Sequence, residues 1–290
     1  MEEISDIAIE IEGLSKKYDN FTLKDINLKV PRGCIVGFVG ENGAGKTTVI
    51  KSILNLIQKE NGTIRVFGKD HIACEKEIKE KTGVVFDESG FHDFLRLSDI
   101  SKIMRKIYRK WDDKEFYKYC KKFSLPEKES FKNFSRGMKM KLSIAVALSH
   151  HAELLILDEA TSGLDPVARD EILDIFLEFI QDPGHTIFVS SHIISDLEKV
   201  ADYIAFIHKG ELLFCRSKDE LLYEYGIIHC TKEEYERLER THVAGVRSNL
   251  FGVDVLVDNT AEVHRNNPSL TIEHTNLEEI ILYIVRGEQK

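Results

Sequence analysis

Several familiar signatures are missing from this chain of 290 residues, and each absence narrows its function. Its five cysteines, at positions 34, 74, 120, 215 and 230, form no C-x-x-C pair. An odd, scattered set of this kind reads as reduced thiols, not as a disulfide framework or a zinc site. There is no basic excess: 40 Lys and Arg face 49 Asp and Glu, for a net charge of −9. The basic stripe that marks a nucleic-acid surface is therefore absent, and no nucleic-acid partner is expected. No stretch approaches the roughly 20 apolar residues of a membrane span. The acidic start Met1-Glu2-Glu3 leads into no apolar signal core, so a cytoplasmic chain is expected. If it works at a membrane, another chain must supply that membrane. Internal repeats, low-complexity segments and an Asn-Lys-x-Asp guanine reader are also lacking.

What is present is ordinary for a globular protein: 42% apolar and 31% charged residues, with a length that suits one large domain and an appendage. One run is not ordinary. Gly40-Glu41-Asn42-Gly43-Ala44-Gly45-Lys46-Thr47-Thr48 matches G-x-x-x-x-G-K-[ST], between an apolar strand-like run at 35–39 and a helix-like run at 47–57. The glycines let the backbone curl until successive N–H groups face inward as an anion nest, and the dipole of the following helix adds to the attraction. Lys46 supplies charge for the β- and γ-phosphates, and the Thr47 hydroxyl is placed to ligate Mg²⁺. The loop predicts binding of a nucleoside triphosphate.

The remaining pattern predicts an α/β protein. Alternation of period two marks strands at 4–11 and 22–30, with β-rich runs at 63–67 and 84–86. Helical spacing takes over from about 98 to 148, placing Ile100, Ile103, Met104 and Ile107 on one face and Phe116, Tyr119, Cys120 and Phe123 on another. Both stripes are expected to be core. Strand-like runs return at 154–157, 186–190 and 203–207, with a helix at 167–180, the alternation of a largely parallel sheet. An early antiparallel portion should pack beside it. Beyond 216 the order helix 217–225, strand 227–230, helix 232–240 capped by Thr231, hairpin 242–246 and 251–257, helix 261–265 and strand 270–273 predicts a split β-α-β. A final helix at 277–285 should dock through Leu277, Ile280, Ile281, Ile284 and Val285.

Two further segments carry chemistry. Leu154 to Leu157 run into Asp158-Glu159, the strand-end acids of a P-loop site. Asp158 would hold Mg²⁺ directly or through water. Glu159, one step on and facing the other side of the strand, could orient or deprotonate the attacking water. Asn133-Phe134-Ser135-Arg136-Gly137-Met138-Lys139 precedes a helix, with Ser135 as its N-cap and bare amides at Gly137, a second anion-binding device.

Together with Ser162-Gly163-Leu164-Asp165-Pro166 and Ser190-Ser191-His192, these segments occur in the order and spacing of ABC transporter ATPase subunits, which the chain resembles over residues 4–217. Ser-Arg-Gly-Met-Lys in place of Ser-Gly-Gly-Gln, with the C-terminal extension, looks most like ATPases of ABC-2-type exporters of the bacitracin-resistance and peptide-toxin branches. The resemblance implies a P-loop NTPase fold. Its parts would be a RecA-like parallel core, an antiparallel β subdomain and a helical subdomain at about 88–150, all within 1–215. A small α+β domain at 216–290 would serve as an accessory or dimerisation unit. It implies roles for Tyr18, stacked on adenine for about 1–3 kcal/mol, for Ser135 and Gly137, touching the γ-phosphate held by a second subunit, for Asp165 at the dimer seam, and for His192, sensing the γ-phosphate.

By the same likeness the partners would be a second ATPase subunit, identical or a sister chain, and a membrane permease that holds the chain at the inner face of the membrane. Two positions depart from the family. Asp87 stands where Gln usually reaches Mg²⁺ and the membrane partner, making it a third metal ligand by expectation. Arg136 replaces a glycine; its guanidinium either bonds a γ-phosphate or points to solvent. The reading is an ATP-hydrolysing export motor with ATP and Mg²⁺ as cofactors. A non-transport relative acting in DNA repair or translation is the alternative; it would carry a long coiled-coil insertion or tandem nucleotide domains, whereas about ninety residues separate P-loop and signature here.

Overall fold

A computed structural model describes residues 6–87, 90–250 and 252–286. The chain divides between Cys215 and Arg216 into two compact units. The first begins with β1 (Ile7–Tyr18) and β2 (Phe21–Pro31), then β3 (Ile35–Val39), α1 (Lys46–Ile53), β4 (Asn61–Val66), β5 (Lys69–Asp70), α2 (Glu75–Glu80) and β6 (Thr82–Val85). Three helices follow, α3 (Leu97–Ile107), α4 (Asp113–Lys122) and α5 (Arg136–Leu148). Then come β7 (Leu154–Asp158), α6 (Pro166–Phe179), β8 (Thr186–Ser191), α7 (Ile194–Val200), β9 (Tyr203–His208) and β10 (Glu211–Ser217).

Ile26, Leu28 and Val30 alternate along β2 and are buried, as are Leu23 ahead of the irregularity at Asp25 and Ile9 and Ile11 of β1. That one-sided pattern suits an antiparallel sheet, and the strands pair as β2-β1-β4-β5. Strands β3, β7 and β8 are instead buried at every residue, the signature of parallel strands covered on both faces. They form the centre of a six-stranded sheet ordered β10-β9-β3-β8-β7-β6, parallel from β9 to β6. Phe38 and Phe188 stack at 5.2 Å in the layer between the two sheets, where apolar side chains of α1 join them. Each such ring contributes about 1.5–3 kcal/mol by burial.

Helix α1 was expected to reach residue 57 and stops at Ile53. Asn55 adopts a left-handed conformation, φ 54°, and the amides of Asn55 and Leu56 return to the carbonyls of Ser52 and Lys51. This double closure is a Schellman stop, which asparagine tolerates. The helical stripe of α3 also differs from expectation. Ile100 is buried, but Ile103 and Ile107 are 39% and 58% exposed.

The second unit contains α8 (Lys218–Glu224), β11 (Gly226–Cys230), α9 (Lys232–Arg237), β12 (Val243–Ser248), β13 (Val253–Val257), α10 (Thr260–Asn266), β14 (Ile272–His274) and α11 (Leu277–Arg286). Its antiparallel sheet runs β12-β13-β11-β14, the strand order of a split β-α-β-β-α-β. Thr231 and Glu234 form a capping box at the start of α9. The helix ends at Arg237, short of the expected 240, and Leu238 turns into the core. Helix α11 lies so close to β12 that a Cβ on Gly245 would meet the Tyr283 carbonyl at 2.6 Å. Phe251, expected in β13, and residues 4–5, expected in β1, lie outside the described residues.

Candidate active site

The parallel register brings three strand ends into line: Val39 pairs with Ser191, and Ser190 with Asp158. Ligand sites in such sheets form just beyond the carboxyl ends of the strands. Past those ends lie Gly40, Glu159 and His192.

Residues 40–48 turn back over the end of β3 into α1. Gly45 is the N-cap of α1 at φ 114° and brings no side-chain acceptor to the first turn, so the opening amides of the helix face outward unclaimed by any cap. A Cβ on Gly45 would strike Leu23 at 2.7 Å and Phe21 at 2.8 Å, which fixes glycine there. Gly43 is also at positive φ, and Glu41, Asn42 and Gly43 form the exposed lip of the loop, with the Ala44 amide bonded to the Glu41 carbonyl at 3.1 Å. Thr48, the third residue of α1, is half-buried.

Lys46 is 5% exposed. Its Nζ donates to the carbonyls of Gly40 at 2.6 Å and Glu41 at 3.3 Å, and lies 3.1 Å from Glu159 Oε1. Thr47 Oγ1 donates to Asp158 Oδ2 at 2.8 Å. The other oxygen of buried Asp158 accepts from Ser190 Oγ at 2.6 Å, and the same hydroxyl accepts from the Glu159 amide at 3.1 Å. Glu159 Oε2 lies 2.6 Å from His192 Nδ1. The structure thus joins Lys46, Thr47, Asp158, Glu159 and His192 in one network. Glu159 is not a strand residue facing the opposite side, as expected: at φ 56° it has left β7, and the turn aims its side chain at Lys46 and His192.

Ser190 was not singled out beforehand. The sequence shows it only as part of the Ser190-Ser191-His192 segment, with no role of its own, and its importance depends on the β7–β8 register. Gly210 was missed as well. It follows Lys209 in the two-residue turn between β9 and β10, both at positive φ. Its amide donates to Ala44 O at 3.1 Å and its carbonyl accepts from the Lys24 amide at 2.8 Å. A Cβ there would fall 2.0 Å from Thr22 O.

Among the described residues no group of three His, Cys, Asp or Glu side chains could hold a metal by itself. The adjacent Thr47 hydroxyl and Asp158 carboxylate do fit a divalent ion completed by phosphate oxygens, the chemistry of a Mg²⁺ site. Asp87, expected as a third ligand, has a different partner: its Oδ1 lies 2.5 Å from Arg136 Nη2. A guanidinium across a short gap offers that carboxylate a charge-assisted bond. Arg136 therefore does not simply point to solvent.

Comparison with known proteins agrees with this geometry. Residues 23–162 match the ABC transporter family. The bacitracin transport ATP-binding protein BcrA of Enterococcus faecalis is 37% identical over 213 residues, 72% of this chain and 69% of its own length. The chain belongs to the ABC transporter ATP-binding proteins. The lantibiotic transport ATP-binding protein SrtF of Streptococcus pyogenes is 33% identical over 73% of this chain and 91% of its own. A solved ATP-binding subunit of an ABC transporter, 26% identical, superposes over 74% of this chain with a TM-score of 0.67. A dimeric cassette bound to ADP and Pi, 21% identical, shares the fold at a TM-score of 0.64. This ABC protein is accordingly an ATPase.

The other residues expected to serve this ATPase lie outside the Lys46–Glu159 network. Tyr18 ends β1, 41% exposed, with Lys16 Nζ 5.5 Å from its ring centre. Ser135 caps α5, accepting from the Met138 amide at 3.2 Å, and Gly137 lies in the first turn with room for a side chain. Asp165 caps α6, accepting from the amides of Ala168 at 3.0 Å and Val167 at 3.1 Å, with Pro166 at the first helical position. Those amides, Ala168 first, hold its carboxyl below the usual range.

Proposed function

We propose that this ABC ATPase is the motor subunit of an exporter, driving amphipathic peptides or similar compounds through a separate permease at the inner face of the membrane. The observation that carries the motor reading is the Lys46–Glu159–His192 network beside the Thr47–Asp158 pair. The P-loop amides cradle the triphosphate, Lys46 turns to its β- and γ-oxygens, and Tyr18 stacks on the base. Thr47 and Asp158 would hold Mg²⁺, which neutralises phosphate charge. Glu159, released from Lys46, orients or deprotonates the attacking water, and His192 holds the carboxylate in place and meets the γ-phosphate.

Ser135 and Gly137 of a second subunit complete the site, with Asp165 near the seam. Moving such a dimer from mostly open to mostly closed takes about 5.5 kcal/mol of differential affinity. Divided between two nucleotides, that is within reach of two charge-assisted hydrogen bonds each, at roughly 1.5–3 kcal/mol per bond.

Among the described residues no helix is long and apolar enough to cross a membrane. A cleft of about 470 Å³ has an apolar floor of Leu54, Leu56, Val84, Phe86, Ile107 and Tyr108 and a charged rim of Glu75, Lys76, Lys79 and Glu80, which supports a docking place for a short amphipathic helix of the permease. Exposed Leu56 and Ile107 lie on it. Peptide cargo is inferred from relatives named for bacitracin and lantibiotic transport. The second unit, which holds no part of the network, serves assembly or regulation. Sedimentation of a Glu159→Gln protein tests the core of this reading: with ATP it should run as a dimer, and Ser135→Arg should keep it monomeric. A monomer under all ATP concentrations would overturn it.

A further inference from the structure

Asp87 and Arg136, the two departures from the family pattern, are 49 residues apart and pair with each other. Arg136 has a second neighbour. A Cβ built on Gly163 would fall 2.5 Å from Arg136 Nη1 and 2.7 Å from its Cζ, so the guanidinium rests against the bare face of that glycine. Gly163, at φ 65°, belongs to the turn that starts at Glu159, in which the Ser162 amide donates to the Glu159 carbonyl at 3.0 Å. One side chain therefore touches three segments: the loop after β6, the start of α5 and the turn that carries Glu159.

From this geometry we infer that Arg136 is a positioning residue for ATP hydrolysis. Pinned by Asp87 and seated on Gly163, it sets the first turn of α5, with Ser135 at its cap, relative to the turn behind Glu159. The aspartate and the arginine are then a single paired change. Each side chain alone would leave a charge with no counter-ion, whereas together they form a neutral bridge. A glutamine at 87 could only offer an amide to the arginine, and a glycine at 136 would leave Asp87 unpaired. Both side chains are about half exposed, 51% for Arg136 and 46% for Asp87, which limits the strength of the bond. Its effect is consequently on placement. The bond that the structure gives Arg136 is to Asp87, and the pairing assigns it to that carboxylate.

The inference rests on the proposed role of Ser135, so the test separates the two. Steady-state hydrolysis by the full chain is measured for Asp87→Asn, Arg136→Gln and the double variant, with Ser135→Ala alongside. Each single change should lower kcat about two- to fivefold, the factor set by an exposed ion pair, with the KM for ATP unchanged. The double variant should be no worse than the poorer single one, because both remove the same bridge. Arg136→Lys, which keeps the charge without the planar fork, should fall between wild type and Arg136→Gln. Losses that multiply, a raised KM in Arg136→Gln with Asp87→Asn silent, or wild-type kcat in both singles would overturn the pairing. If Ser135→Ala hydrolyses ATP normally, the signature reading itself fails, whatever the cycle shows.

Discussion

Lys46 Nζ lies 3.1 Å from one oxygen of Glu159, and the other oxygen of that carboxylate lies 2.6 Å from His192 Nδ1. The P-loop cation and the histidine at the end of β8 thus share a single acid. In the proposed mechanism an incoming γ-phosphate would compete with Glu159 for Lys46. Glu159 would then keep its histidine and have one oxygen open to a water molecule.

Replacing Glu159 by Gln should therefore separate binding from turnover. Loss of a general base lowers kcat by about 10²–10⁴. Losing the charge that holds Lys46 should tighten ATP by about 1 kcal/mol, roughly fivefold. Nucleotide titration and phosphate release on the same sample check both; weaker ATP binding would mean that Glu159 does not restrain Lys46.

Ser190→Ala removes one donor to Asp158 and one acceptor for the Glu159 amide. The buried Asp158 oxygen loses its donor, which costs about 1–3 kcal/mol, while the Glu159 amide keeps its bond to the Ser190 carbonyl at 3.2 Å. Denaturant melts should show that loss, and kcat should fall with it as both acids lose their common support. Unchanged stability and normal turnover would remove Ser190 from the site.

The second unit should weaken as pH rises. His229 lies 2.6 Å from Asp254, its partner on β13, and 3.5 Å from Glu273 of β14, which pairs with Ile227. His242 lies 2.9 Å from Asp258 and 3.3 Å from Glu262. The bond to Asp254 raises the first ring above its ordinary value, and the bond to Asp258 raises the second. A group raised on folding contributes fully below its unfolded pKa of about 6.5 and loses that contribution as pH climbs through the folded value. Amide-exchange protection in β14 and α10 should drop over that window after correction for intrinsic rates, and His229→Asn should flatten the change for β14.

Ile107→Lys places a charge in the cleft beside Phe86. Co-purification with the cognate permease should be lost, while hydrolysis by the isolated subunit stays within about twofold, as for a surface substitution. Retained co-purification would move the docking place elsewhere.

A chain ending at Ser217 keeps β10 whole and should bind ATP within about threefold of the full protein, a change below 1 kcal/mol. Its ATP-dependent dimer should be weaker. Loss of ATP binding by a folded truncation would refute an accessory role for the second unit.

Legibility followed the distance over which each feature is built. The P-loop is contiguous, so its glycines, Lys46 and Thr47 could be read as a unit, and the apolar run into Asp158-Glu159 marked a strand end. The order of elements in the second unit was also readable, from alternation and from the Thr231 cap. Ser190 was not, because its bond to Asp158 exists only in the β7–β8 register. The Asp87–Arg136 bridge was hidden for a similar reason: two odd residues were visible, but nothing local joins positions 49 apart. Ile107 shows the opposite failure. Its spacing on α3 matched a core stripe, yet periodicity names a face without naming what covers it.

Gly210 touches Ala44 on one side and Lys24 on the other through its own peptide groups. The hairpin sheet, which carries Tyr18 at its rim, and the phosphate cradle are consequently mechanical neighbours. In the proposed reading, a tilt of the sheet on engaging a base would be transmitted to the P-loop through these two backbone bonds, and both depend on position 210 staying glycine, since a Cβ there would fall 2.0 Å from Thr22 O.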